Sequence, residues 1–261
     1  MRALNIAATG MMAQQTNVDV ISNNIANMST TAFKRQKAEF QDLLYQNITR
    51  AGTNSSDEGT IVPTGIQLGL GVKTGSVYRI NEQGPVVETG NDLDVAISGK
   101  GYFQVNLPTG TQAFTRAGNF QVNADGDLVT SQGYVVSPGI SIPQDAANVD
   151  INEDGQVMVK IDGQPAPQTV GQLDLVNFVN EAGLEAEGNN LFTETEASGA
   201  PLTGLPGDEG FGTVLQNFIE MSNVDSVSEI TTLITAQRAY ELNSRVISTS
   251  DEMLQTISNI R

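Results

Sequence analysis

The chain has no cysteine, no histidine and no tryptophan among its 261 residues. Together these absences remove disulfide staples, cysteine nucleophiles, Ser-His-Asp triads, the usual zinc ligands and haem ligation. A cysteine-free chain is also safe in an oxidising compartment, where a free thiol is a hazard. Aromatic residues make up only 5%. No apolar run approaches the ~18 residues that a membrane-spanning helix needs, so no membrane insertion is expected. Basic residues are scarce, 13 against 30 acids, for a net charge of −17. Residues 1–50 carry +2, residues 224–261 carry −2, and residues 51–223 hold the remaining −17. An acidic middle speaks against nucleic acid, which favours basic stripes, and fits a solvated surface. The start, Met1-Arg2-Ala3-Leu4-Asn5-Ile6, has one basic residue and soon meets Thr9, Gln14, Gln15, Thr16 and Asn17. It reads as no cleavable signal peptide.

What is present is concentrated at the two ends. Leu4, Met11, Val18 and Ile25 recur every seven residues, and Ala7, Gln14, Ile21 and Met28 form a second series three residues on. At the other end Leu233, Tyr240, Ile247 and Leu254 form a seven-residue spine, flanked by Ile230, Ile234, Met253 and Ile257. A seven-residue seam is what a helix needs to supercoil against another helix. The candidate subunit-packing positions are therefore Leu4, Met11, Val18, Ile21, Ile25, Met28, Leu233, Tyr240, Ile247 and Leu254. The spacing predicts a first helix from about residue 3 to about residue 28, ended by the polar, β-branched cluster Asn27-Met28-Ser29-Thr30-Thr31. A last helix resumes near Val224, with Asp225 or Ser226 as N-cap and Glu229 three residues beyond Ser226. A further helix is expected over residues 33–46, with Phe40, Leu43 and Leu44 on one face.

Between the ends the pattern is extended. Residues 49–60 are turn-rich and polar, and composition alone makes them a mobile loop. From residue 84 to 223 short apolar runs alternate with turn dipeptides such as Asp125-Gly126, Asp154-Gly155 and Asp162-Gly163, which favour tight hairpins. Residues 198–212, rich in Gly and Pro, read as an exit loop. The expected fold class is α+β: long N- and C-terminal helices forming a coiled-coil domain, with a central, mainly antiparallel β domain. The expected divisions are 1–32 with 224–261 as the helical domain, 33–83 as a connecting segment with a helix, an insertion at 45–63 and extended strands, and 84–223 as a β-rich outer domain.

Chemical motifs are weak. Gly69-Leu70-Gly71-Val72-Lys73-Thr74 lacks the Gly before Lys and the following helix that a phosphate loop requires. Asn123-Ala124-Asp125-Gly126-Asp127 has no acid at the twelfth position of a calcium loop and reads as a hairpin turn. Asp92 and Asp94 would share one face of a strand, but an acid/base pair also needs a cleft and shifted pKa values. No catalytic, cofactor or metal site is expected.

Several stretches together resemble the flagellar axial family, the rod and hook subunits of bacterial flagella. They are Ser22-Asn23-Asn24-Ile25-Ala26-Asn27 with Thr31-Ala32-Phe33-Lys34, Asp92-Leu93-Asp94-Val95-Ala96-Ile97-Ser98-Gly99-Lys100-Gly101-Tyr102-Phe103, Phe114-Thr115-Arg116-Ala117-Gly118-Asn119-Phe120, and Gln237-Arg238-Ala239-Tyr240-Glu241-Leu242-Asn243-Ser244. Ala32 stands where the family usually has Gly. Within the family the chain is most similar to the distal-rod type. At 261 residues it has no room for the outer domain of a hook subunit, and the segment carrying Tyr45, Arg50, Ser55, Ser56 and Pro63 is similar to a rod-specific insertion that stiffens the assembly. The resemblance implies a structural subunit that self-assembles into an open helical tube, transmits torque to the hook and forms part of the export channel. It implies neighbouring proximal rod and hook subunits, surrounding L and P ring proteins and a rod cap as partners. It places the chain in a basal-body rod crossing the periplasm, reached by flagellar export without a cleaved signal. The competing readings are a sister rod or hook subunit, a secreted β-rich carbohydrate hydrolase, and a trimeric surface adhesin suggested by the heptads alone.

Overall fold

The computed structural model describes residues 2–49, 64–161 and 166–259, and the chain divides into two compact units. The first comprises residues 1–26, 36–79 and 225–261. It contains α1 (Arg2–Ala26), β1 (Gln36–Asp42), β2 (Tyr45–Thr49), β3 (Ile66–Gly69), β4 (Val72–Arg79) and α2 (Ser226–Asn259). The two helices pack on each other, and α1 also packs against β1 and β4. α1 ends two residues before the sequence pattern suggests, so Met28 lies in the turn beyond it and not on a helical seam. α2 starts as a capped helix: the Asp225 carboxylate accepts from the Val227 and Ser228 N–H groups at 2.9 and 3.2 Å. Glu229 therefore does not complete a capping box; its side chain is buried elsewhere.

The helix expected over residues 33–46 is not formed. β1 instead pairs antiparallel with β4, with a bulge between Glu39 and Phe40, and β2 pairs with β3. Lys, Gln, Ala and Glu in this stretch are good helix formers, but propensity is a weak prior that tertiary pairing overrides. Gly71, at φ +123°, turns β3 into β4 where any Cβ would lie 2.2 Å from the Thr9 hydroxyl of α1. The glycine run that superficially resembles a phosphate loop is thus a turn pressed against a helix.

The second unit comprises residues 27–35 and 80–224. Its strands are β5 (Val86–Glu88), β6 (Val95–Ser98), β7 (Tyr102–Asn106), β8 (Gln112–Thr115), β9 (Gln121–Val122), β10 (Leu128–Val129), β11 (Val135–Val136), β12 (Ala146–Ile151), β13 (Gln156–Ile161), β14 (Gln168–Gln172), β15 (Leu175–Asn177), β16 (Glu185–Gly188), β17 (Leu191–Thr193), β18 (Leu202–Gly204), β19 (Thr213–Gln216) and β20 (Phe218–Glu220). All named pairings are antiparallel. A nine-stranded sheet runs β16-β17-β8-β7-β11-β10-β9, with β15 joining β7 to β18. β18 lies inside the stretch that reads as an exit loop.

Strand alternation builds two cores. On β7, Phe103 and Val105 face a large cluster with Val95, Ile97, Phe120, Leu128, Leu173 and Leu175, where Phe103 and Phe120 meet edge to face at 5.1 Å. Tyr102 faces the other way, against Phe114, Val176, Phe178 and Leu184. Both cores lie wholly in the second unit.

Candidate functional site

The first unit has a different balance of burial. Its buried apolar residues are Ala7, Ala13, Val20, Ile21, Ala38 and Ala236, of which only two are larger than alanine. Seventeen of the twenty-three large apolar side chains left exposed among the described residues lie in this unit, including Met12, Leu44, Tyr45, Ile48, Ile66, Val227, Leu242 and Met253. Apolar surface of that extent marks an interaction face. The second unit carries the charge instead: residues 27–35 and 80–224 hold twenty acids against five bases. Like charge disfavours packing such surfaces on one another, so the first unit is the candidate site of association.

Its organising feature is the contact between the helices. Asn24 on α1 is buried, and its Nδ2 lies 3.2 Å from Glu229 Oε2 on α2. Fourteen residues back along α1, a Cβ on Gly10 would lie 2.9 Å from Asn243 Nδ2, fourteen residues forward along α2. The helices are therefore antiparallel, in one register over two heptads. The buried and half-buried positions of α2, Ser226, Glu229, Leu233, Ala236, Ala239, Asn243, Ile247, Ser250 and Leu254, recur at steps of three or four. Six of these nine are small or polar, and Gly10 of α1 leaves room for the Asn243 side chain that a Cβ would close.

Asn24 also fixes the strand beneath it. Its Oδ1 accepts from the Gln36 N–H at 2.9 Å, and its Nδ2 donates to the Gln36 carbonyl at 2.8 Å. One amide thus holds α1, α2 and the start of β1 together. A buried polar residue in a helix seam sets register at some cost in stability.

The expected packing residues fall into three groups. Ile21 is buried; Leu4, Met11, Val18, Ile25, Leu233, Ile247 and Leu254 are half-buried; Met28 and Tyr240 are exposed. Val18 and Tyr240 come together with Gln15, Gln237 and Glu241 around an open groove of about 520 Å³ between the helices. Tyr45 is exposed on β2, while Arg50, Ser55, Ser56 and Pro63 lie outside the described residues. The Asp92/Asp94 pair is part of a turn: the Asp94 carboxylate accepts from Thr89 Oγ1 at 2.7 Å and from Asn91 Nδ2 at 3.0 Å.

A second buried polar cluster, in the second unit, escaped the sequence reading. Glu220 on β20 receives Lys34 Nζ at 2.6 Å on one carboxylate oxygen and Arg116 Nε at 2.5 Å on the other. Backbone groups add further partners. Lys34 reaches the Glu82 carbonyl, Arg116 reaches those of Gly99 and Gly101, and the Gly84 N–H completes the carboxylate. Burial holds the Lys34 ammonium below its ordinary value of 10.5; the charge of Arg116 adds to this and Glu220 opposes it. Lys34 and Arg116 each sit inside a family-like motif. Nothing in the sequence pointed to Glu220, more than a hundred residues from Arg116.

Comparisons with known proteins point to one family. Residues 4–34 match the family model "Flagella basal body rod protein", residues 96–159 the "Flagellar hook protein FlgE/F/G D1 domain", and residues 215–260 the "Flagellar basal body rod FlgEFG protein C-terminal". The chain is 64% identical to the flagellar basal-body rod protein FlgG of Caulobacter vibrioides, over all of both chains. It is 40% identical to the FlgG of Bacillus subtilis over all of this chain and 99% of that one. It is 31% identical, over all of both chains, to the flagellar hook-basal body complex protein FlhP of the same organism.

Proposed function

The chain belongs to the FlgG family of flagellar basal-body rod proteins, and from that premise we propose that it is the distal-rod subunit of a drive shaft. It is a structural, non-catalytic rod subunit that associates with copies of itself in the periplasmic part of the basal body. The finer reading is a rigid hollow tube in which the terminal helices pack as coiled coils around an export channel. Contacts between unlike surfaces that do not close on themselves generate such open helical assemblies. Close-packed helices resist torsion because packed side chains do not deform continuously. Proximal rod subunits, hook subunits, a rod cap during growth and the L and P rings around the finished rod are the proposed neighbours, and export proceeds without a cleaved signal.

The observation that carries this reading is the pairing of a closed, acidic β unit with a helical unit that leaves most of its large apolar side chains uncovered. The sister-subunit reading is disfavoured by identity: within Bacillus subtilis the chain is closer to FlgG than to FlhP. Replacing Ile25 or Val18 by Asp would place a charge in a desolvated helix contact, at several kcal/mol unless it finds a partner. Export of an epitope-labelled Ile25→Asp chain should continue while its label vanishes from purified basal bodies. Labelled rods of normal length from that variant would show that the seam is not buried in the assembly.

A further inference from the structure

We propose that the last two turns of α2 dock into a neighbouring copy of the chain, in the groove between α1 and β4. This rests on the reading of the chain as a self-assembling rod subunit and names one contact of that assembly. Within one copy, the register set by Asn24 with Glu229 and Gly10 with Asn243 brings Arg2, the first residue of α1, opposite Asp251. α2 continues to Asn259, so residues 252–259 run on with no α1 alongside. At 1.5 Å per residue the overhang is about 12 Å long. It carries Met253, 56% exposed, and the half-buried Leu254. Without tertiary support so short a helical end is marginal in water.

A complementary site lies on the same unit. Met12 and Ala13 of α1, Leu43, and Val72 of β4 line an open, mainly apolar groove of about 420 Å³. Met12 is 70% exposed there. The α1 wall runs from Thr9 to Asp19, which is about 15 Å at helical rise and long enough for the overhang. Lys73 stands at this groove, and the overhang is led by the exposed acids Asp251 and Glu252. Asp19 on the α1 wall repels the same acids, so the overhang enters with its acidic side toward the strand.

A chain cannot fill its own groove. In the antiparallel register Met12 lies opposite Glu241, twelve residues of helix or about 18 Å from Met253. The occupant is therefore a second copy. A protruding end on one copy and a groove on the side of the next make a heterologous contact, the kind that propagates as an open filament.

The absence of cysteine makes the test direct. Cells lacking the native chain would co-express a Met12→Cys copy and a Met253→Cys copy. Their basal bodies would be treated with a bismaleimide short enough to join only packed helices, whose axes lie about 8–10 Å apart. A covalent dimer of the two variants is expected in assembled rods and absent from the unassembled mixture. Rods that assemble normally and give no such dimer overturn the docking contact while leaving the rod reading intact. Failure of the unsubstituted chain to form rods would instead sink the rod reading. Should either Cys variant block assembly, charge reversal decides. Lys73→Glu and Glu252→Lys should each lower rod yield about fivefold, and together restore it to within about twofold, because complementary charge steers and fixes register at such contacts. No restoration would overturn the proposal, and point to another occupant such as residues 50–63 or a surrounding ring protein.

Discussion

Ala32 sits at φ +56°, buried in the turn after α1, with its N–H donating to the Glu220 carbonyl at 2.8 Å. The left-handed conformation costs an L-residue about 1–2 kcal/mol, because Cβ crowds the following carbonyl. Glycine avoids that cost but loses roughly 0.5–1 kcal/mol more backbone entropy on folding. Ala32→Gly is therefore expected to stabilise the second unit by roughly 0.5 kcal/mol, the difference of those ranges. Thermal unfolding followed by circular dichroism should show a small rise in midpoint; a fall would mean that the buried methyl is worth more than the strain. The same turn explains why Lys34 is buried so close by. Glu220 uses its backbone to hold Ala32 and its side chain to hold Lys34 and Arg116. Replacing Glu220 would leave two buried cations without their counter-charge, a much larger loss than any surface pair could cause.

At the scale of elements, β2 and β3 form a two-stranded ribbon with Leu44, Tyr45, Ile48, Ile66 and Leu68 exposed along it. A lone hairpin is marginal in water, and exposed apolar side chains on both of its strands need cover. The ribbon carries the start of the proposed rod-specific insertion, whose residues 50–63 lie outside the described residues. We propose that neighbouring subunits cover it and that this contact stiffens the rod. Deleting residues 49–60 then leaves both terminal helices intact, so export and polymerisation should persist and the filaments should curve. Electron micrographs measure this directly, and filaments as straight as those of the intact chain would reduce the insertion to a surface loop. Sequence made some elements plain and hid others. The terminal helices were legible because seven-residue apolar spacing survives over several turns, and the hairpin at Asp125-Gly126 because its turn chemistry is local. β1 was not legible, since its residues favour helix and only pairing with β4 and the grip of Asn24 make it a strand. The seam of α2 was half legible: Leu233, Ile247 and Leu254 show in the pattern, whereas Glu229, Ala236, Asn243 and Ser250 are small or polar and look like surface. Glu220 was invisible because its partners are brought to it by folding alone.

Taken as a whole, the molecule joins a unit that is finished to one that is not. The β unit has two packed apolar clusters and a buried ion cluster in which Glu220 is paired with both Lys34 and Arg116. The helical unit buries little beyond alanine, holds its helices by a partly polar seam, and leaves Val18 and Tyr240 around an open groove. Stability is therefore expected to be uneven, since local opening follows the density of buried apolar contacts. In the dilute monomer the amides of Val18 and Ile247 should exchange rapidly, while those of Phe103 and Val105 on β7 should exchange only with unfolding of the β unit. On assembly the slow class should extend to both helices, because the ordering cost is then met by contacts between copies. Such a division suits the proposed export route, in which the subunit is threaded unfolded through a channel and becomes rigid only in place. Hydrogen exchange read by mass spectrometry on monomer and on purified rods makes the comparison. Equal protection of Val18 and Phe103 in the monomer would show that the helical unit is already complete alone, and would remove the thermodynamic reason for it to associate.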